Sequence, residues 1–472
     1  MKVVAIDQGT TGTKAFSLDC EGQFSKVAGF EHAQHYPRPG WVEHDVRELL
    51  SHVQQCLSAA GKVDAIGIDN QGETLVAWDS RTGEPCYNAI VWQDDRTKDV
   101  TARLKAEGAE DLTQQRAGLP LDPYFSASKM KWIIDHVPEA ARLLREKRLR
   151  IATSEAYFLD RLTGVYATDV TTASRTSLMS LDTLQWDEDL LALFGVPQEV
   201  LPDIRDTTGP FGDVNGVPVT ASLVDQQAAL FGHGCMESGD AKITFGTGAF
   251  ALAIAGADRP ARNAAGLAAT VAWRRTASPV TYALDGAVYN AASAVNWARS
   301  IGLFSHYDEI GSFAGPSALA RGLVFVPALS GLACPHWDRT AAGLWIGLGL
   351  DTSKADMMQA LLEGVALRAA EVIDAMATLL PLRTTVSIDG GLANNPYFSQ
   401  VLSNALNREV TVAASTELTG LGAARMAMLG AGARQLPPLP RPARVYSPLE
   451  PLSAAARSRF AAAVQRASGW HS

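Results

Sequence analysis

The chain opens with a short apolar run that enters a glycine-rich turn and comes straight back out. Val3-Val4-Ala5-Ile6 leads into Asp7-Gln8-Gly9-Thr10-Thr11-Gly12-Thr13, and Ala15-Phe16-Ser17-Leu18 follows. This order is the signal of a β-hairpin. The same unit returns more than two hundred residues later as Lys242-Ile243-Thr244-Phe245-Gly246-Thr247-Gly248, followed by Ala249-Phe250-Ala251-Leu252. A third version, Thr385-Val386-Ser387-Ile388-Asp389-Gly390-Gly391, reads as strand then turn, with Asn394, Asn395 and Pro396 as helix-start residues. The repetition predicts two related α/β halves, residues 1–229 and 230–472, with a hinge near 225–240. A chain of 472 residues has room for both, at roughly 150 residues per domain.

Glycine turns at strand ends let backbone N–H groups approach a polyanion, and threonine hydroxyls add donors. Asp7 would face that anion, which makes sense if a divalent cation lies between them. Mg²⁺ commonly reaches protein through one or two carboxylates. No G-x-x-x-x-G-K-[ST] string is present, so this is not a P-loop. On the residues alone, D-x-G-T-T is also a tight hairpin.

Between these units lie further strands, Ala65–Asp69 and Leu75–Trp78, then a helical stretch from about 99 to 150. The basic cluster Arg145-Glu146-Lys147-Arg148-Leu149-Arg150 reads as a solvated helix end. Leu436–Pro442 is a proline-rich connector, and 453–470 an alanine-rich amphipathic helix. Lys+Arg 41 against Asp+Glu 50 gives a net charge of −9, a poor balance for non-specific nucleic-acid or anionic-membrane binding. The five cysteines are scattered and form no C-x-x-C, which predicts free thiols. No apolar core of a signal peptide follows Met1, and no run reaches the roughly 18 apolar residues of a membrane span. A cytoplasmic protein is expected.

Several longer strings carry a resemblance: Ala5–Thr11, Tyr36-Pro37-Arg38-Pro39-Gly40-Trp41-Val42-Glu43-His44-Asp45, Asn88–Asp94, Asp122–Lys129, Thr168–Thr176, Asp225–Gly232 and Phe245–Gly248. In this order they resemble the FGGY carbohydrate kinases, most closely the glycerol kinases. The two family signatures fall around Tyr124–Trp132 and Gly343–Glu363, and the similarity thins after about Gly432, leaving a tail from about 433.

The resemblance implies two actin-like (ribonuclease H-like) halves with a deep interdomain cleft. It implies ATP and Mg²⁺, with the polyol held mainly on the first half and the nucleotide on the second. Asp225 matches the catalytic aspartate, the general base on the attacking hydroxyl. From its own surroundings alone it reads rather as a helix N-cap, a position aspartate often takes. Glu73, Trp92, Tyr124 and Gln226 match polyol-site residues. Thr10, Thr11, Gly12 and Lys14 match the first phosphate loop and Thr247 the second; Ala292, Asn296, Gly391 and either Asn394 or Asn395 match the nucleotide site. Asp7 is the metal-site residue.

One departure bears on the substrate. Glycerol kinases read N-Q-R-E-T where this chain reads Asn70-Gln71-Gly72-Glu73-Thr74. A charged donor to substrate hydroxyls is missing, and Gly72 is expected to open space. Either another group replaces the arginine and glycerol remains the acceptor, or the site takes a longer polyol or ketopentose of the erythritol, xylitol, xylulose or ribulose type. A non-catalytic sugar or nucleotide sensor is a third possibility. A homo-oligomer, dimer or tetramer, is expected.

Overall fold

The computed structural model describes residues 1–261 and 266–471. The first half is built on a six-stranded sheet. Strands β1 (Lys2–Gln8), β2 (Gly12–Asp19) and β3 (Phe24–Glu31) form an antiparallel meander. β4 (Ala65–Asn70) then runs parallel to β1, and the edge ribbon β5 (Asp213–Val214) with β6 (Val217–Val224) completes the order β5-β6-β4-β1-β2-β3. β1 and β4 are apolar on both faces, as strands covered on both sides must be.

The second half repeats the plan. β7 (Ala241–Phe245), β8 (Ala249–Gly256), β9 (Ala268–Arg274) and β10 (Val280–Val288) are antiparallel neighbours. β11 (Thr385–Gly390) runs parallel to β7 and β12 (Glu409–Val412) parallel to β11. The registers correspond as well: Asp7 lies opposite Asp69 in the first sheet, and Thr244 opposite Asp389 in the second. This is the actin-like pair of α/β halves that the resemblance implies.

Two helices tie the halves together. α1 (Asp225–Gly232) follows β6, α2 (Ala292–Ser300) follows β10, α3 (Pro396–Leu406) follows β11, and α4 (Leu418–Gly430) follows β12. α4 crosses over to lie on β1, β4 and β6 of the first sheet. One continuous core therefore holds Val3, Ala5 and Leu223 of the first sheet, Leu252 and Ala283 of the second, and Leu421 and Met426 of α4. α1 and α4 touch backbone to backbone. A Cβ on Gly422 would stand 1.8 Å from the Ala228 carbonyl oxygen, and one on Gly232 would stand 2.0 Å from that of Leu418.

A smaller four-stranded sheet, which includes Leu75–Asp79 and Leu149–Thr153, carries the helix Ser126–His136 and walls the cleft on the first-half side. The basic cluster at 145–150 is a helix end only as far as Arg145; Leu149 and Arg150 already belong to this sheet. Two of its charges are paired, Arg148 with Asp79 and Arg150 with Asp160, because the start of the strand brings them against those carboxylates. The tail from 433 is integrated rather than loose. The proline-rich connector leads to β13 (Arg444–Tyr446), which adds to β12, and the helix Ala454–Ala467 buries Phe460 and Val464.

Candidate active site

The two glycine turns face one cleft. In the first, Gly9 N–H donates to the Gly12 carbonyl at 3.0 Å, Thr11 is exposed, and the Thr10 hydroxyl accepts from Trp92 Nε1 at 3.0 Å. In the second, the exposed Thr247 offers its carbonyl to the N–H groups of Ala291 and Ser293, while Ala292 N–H donates to Gly246. The N-terminus of α2 therefore abuts this loop, its first N–H groups spent on the loop carbonyls, so that only the positive end of the helix dipole favours an anion there.

The other nucleotide-site residues are placed unevenly. Gly391 and Asn394 are exposed at the turn after β11, and the Asn394 side chain has no hydrogen-bond partner among the described residues. Asn395 is engaged: its side chain caps α3 by accepting from Phe398 N–H at 2.9 Å, and its amide donates to the Ile310 carbonyl. Asn296 is exposed and accepts from the Tyr307 hydroxyl. Lys14 pairs across the halves with Glu417 at 2.8 Å, so its ammonium is not free beside the first turn.

Behind the first turn three carboxylates gather. Asp7 and Asp69 are side by side on adjacent parallel strands. Burial pushes Asp7 up to about 6 and holds Asp69 well above the usual carboxylate range, with the neighbouring Asp7 adding to the effect. Both Asp69 oxygens are buried and have no hydrogen-bond partner among the described residues. Asp225 is the first residue of α1, with Val224 in the N-cap position, so it is not the helix cap its neighbourhood allowed. Its Oδ1 accepts from Gln226 N–H at 2.7 Å. Burial pushes its carboxyl up to about 7, Glu73 and Asp7 raise it too, and Lys242 pulls it down. Lys242, fully buried, donates to the Gln226 side-chain oxygen at 2.6 Å and to the Thr244 hydroxyl at 3.0 Å.

Between the halves lies a cavity of about 290 Å³. Trp92 and Tyr124 meet edge to face at 5.5 Å between ring centres, and Phe250 of the second half packs on Trp92 at 6.0 Å. Such a box suits a carbon skeleton, with polar groups at its ends. Glu73 sits beside it, buried, in the left-handed region at φ 59°, a conformation that costs a non-glycine residue backbone strain. Burial raises its carboxyl, and Arg175 opposes this through Nε at 2.7 Å. Arg175 continues to Asp285 of the second half, with Nη2 at 2.8 Å from Oδ2.

The expectation that Gly72 opens space is overturned. A Cβ at residue 72 would fall 2.6 Å from Val224 Cγ2, so a buried valine methyl fills the room beside the glycine.

Sequence reasoning missed Asp69, Arg175, Lys242 and Asp285. Each had a visible signal. Lys242 and Asp285 are lone charges inside apolar strands, Asp69 ends a strand in register with Asp7, and Arg175 sits among small residues. A charge with such neighbours must find a partner inside the fold.

The N-terminal domain of the FGGY family of carbohydrate kinases matches residues 2–232, and its C-terminal domain matches residues 241–431. The chain is 41% identical over 490 aligned residues to a glycerol kinase of Thermus brockianus, covering 99% of each. It is 42% identical to one of Methylorubrum populi, covering 91% of this chain and 89% of the relative. Among solved structures, a Plasmodium falciparum glycerol kinase with ADP superposes with a TM-score of 0.89 at 30% identity, covering 99% of this chain and 98% of that one. A xylulose kinase of Lactobacillus acidophilus, at 22% identity, TM-score 0.86 and coverage of 98% and 96%, shares the fold. No helix among the described residues is long and apolar enough to cross a membrane.

Proposed function

This chain belongs to the FGGY family of carbohydrate kinases, and we propose that it transfers the γ-phosphate of ATP to a hydroxyl of glycerol or a similar small polyol. The observation that carries this reading is the position of Asp225. It heads α1 at the hinge, in electrostatic reach of Glu73 on the polyol side and Asp7 on the phosphate side. A carboxylate there takes the proton of the attacking hydroxyl, and its raised pKa suits a base working near neutral pH. Trp92, Tyr124 and Phe250 hold the carbon skeleton, Glu73 and Gln226 the hydroxyls. Thr10, Thr11, Gly12 and Thr247 receive the phosphates, and Asn394 rather than the engaged Asn395 faces the adenosine. Closure of the halves keeps water from the phosphoryl group.

Asp7 and Asp69 fit a Mg²⁺ ion. Hard carboxylate oxygens suit it, and the bare Asp69 oxygens lack any other partner among the described residues. The described residues hold no cluster of three or more metal-ligating side chains. Two carboxylates, water and phosphate oxygens would complete the shell, as Mg²⁺ prefers. When bound, such an ion neutralises charge on the phosphates.

Filling of the Gly72 space by Val224 favours a small acceptor over a longer polyol or ketopentose. The test is ADP release with ATP and a panel of glycerol, tetritols, pentitols and ketopentoses. Glycerol should give the highest kcat/KM; a pentose or tetritol ahead of it would replace this acceptor. A homo-oligomer in the cytoplasm is part of the same reading, and sedimentation of the purified protein tests its assembly.

A further inference from the structure

The geometry points to Arg175 as the hydroxyl donor of the acceptor site, with Asp285 of the other half as its counterpart. The assignment rests on the polyol-kinase reading above. A polyol needs donors as well as acceptors around it, and the arginine that glycerol kinases carry at residue 72 is absent here. Val224 bars that route in any case. Three donors around the cavity are already spent, although the buried Tyr289 hydroxyl on its wall is not. Trp92 Nε1 is given to Thr10, and Lys129 gives its ammonium to the carbonyls of Val91 and Tyr124. Arg339 pairs with Asp122. Arg175 also lines the cavity, and only two of its three nitrogens are engaged, Nε with Glu73 and Nη2 with Asp285. Nη1 is buried and has no partner among the described residues.

A buried guanidinium nitrogen left bare is costly, and a substrate hydroxyl oxygen satisfies it. The free lone pairs of Glu73 and Asp285 then accept the hydroxyl protons. Because Asp285 comes from the second half, the full recognition set exists only when the halves meet. Arg175 thus links choice of acceptor to closure.

The test compares wild type, Arg175→Lys and Asp285→Asn by initial rates with glycerol and with propane-1,2-diol, which lacks one hydroxyl. Arg175→Lys keeps the charge but loses the fork. It should raise the glycerol KM roughly ten-fold or more and leave the ATP KM unchanged. Loss of the hydroxyl should then penalise wild type more than the variant. Asp285→Asn, which leaves the Arg175–Glu73 contact in place, should raise the glycerol KM in the same way and serves if the lysine variant fails to fold. A glycerol KM unmoved in either folded variant, or an equal diol penalty in wild type and variant, overturns the assignment while leaving the kinase reading intact. A wild type that releases no ADP with any polyol overturns both.

Discussion

Val224 Cγ2 stands 2.6 Å from the point where a Cβ on residue 72 would lie, so these two positions must be read as one. Gly72→Ala alone should overpack this buried contact and cost about 1–3 kcal/mol. Val224→Ala in the same chain should recover most of it. Chemical denaturation of the two singles and the double measures the coupling; strict additivity would mean the methyl and the glycine are independent.

Asp225→Asn should cut polyol-dependent ADP release by about 10²- to 10⁴-fold while ATP still binds. In wild type, kcat/KM should rise with pH through an apparent pKa near 7, because the base must lose its proton first. The stability effect has the opposite direction. A carboxyl whose folded pKa is raised from 3.8 to about 7 holds its proton better when folded, so it costs stability increasingly across that window. Asp225→Asn should therefore melt a few degrees higher than wild type at pH 8 and show little difference at pH 4.

Lys242 pulls the Asp225 carboxyl down and anchors Gln226 beside it. Lys242→Met should move the acid limb of kcat/KM to higher pH, since a compensating positive charge is gone. The limb staying in place would assign Lys242 to packing alone. A pH–rate profile on the folded variant decides this.

Asp69→Asn removes one of the two carboxylates suited to the cation. The Mg²⁺ concentration for half-maximal rate should rise about ten-fold or more. The gain in Tm that Mg²⁺ with ADP gives wild type should shrink in parallel. An unchanged thermal shift would leave Asp7 as the cation's sole carboxylate of the pair.

Gly422→Ala should lower Tm by several degrees or abolish soluble expression, because the new methyl would press on the Ala228 carbonyl of α1, a backbone atom with nowhere to move. Gly61→Ala, with open space around it, is the surface control and, given its positive φ, should cost only about 1 kcal/mol.

The halves and their glycine turns were legible because strand-turn-strand units are local: β1–β2 and β7–β8 lie where the apolar runs put them. Asp225 and Glu73 were legible through long strings shared with a known family. What the letters hid is contact between distant segments. Nothing near residue 72 tells that a valine 152 positions on would fill its space. Lys14 read as a phosphate ligand because Glu417, its partner, lies 403 residues away. Arg175 escaped notice for the same reason, its two carboxylates being in different halves. Asn395 was separable from Asn394 only once the cap on α3 was seen.

The inner face of the first sheet is closed by α4, which the chain reaches only at residues 418–430. While the protein is being made, that sheet waits for roughly 200 more residues, about 10–40 s at ordinary elongation rates. Throughout this interval an oily surface around Val3, Ala5 and Leu223 stays uncovered on the ribosome. A shortened product ending before residue 418 would keep it bare for good, a natural substrate for chaperones and proteases.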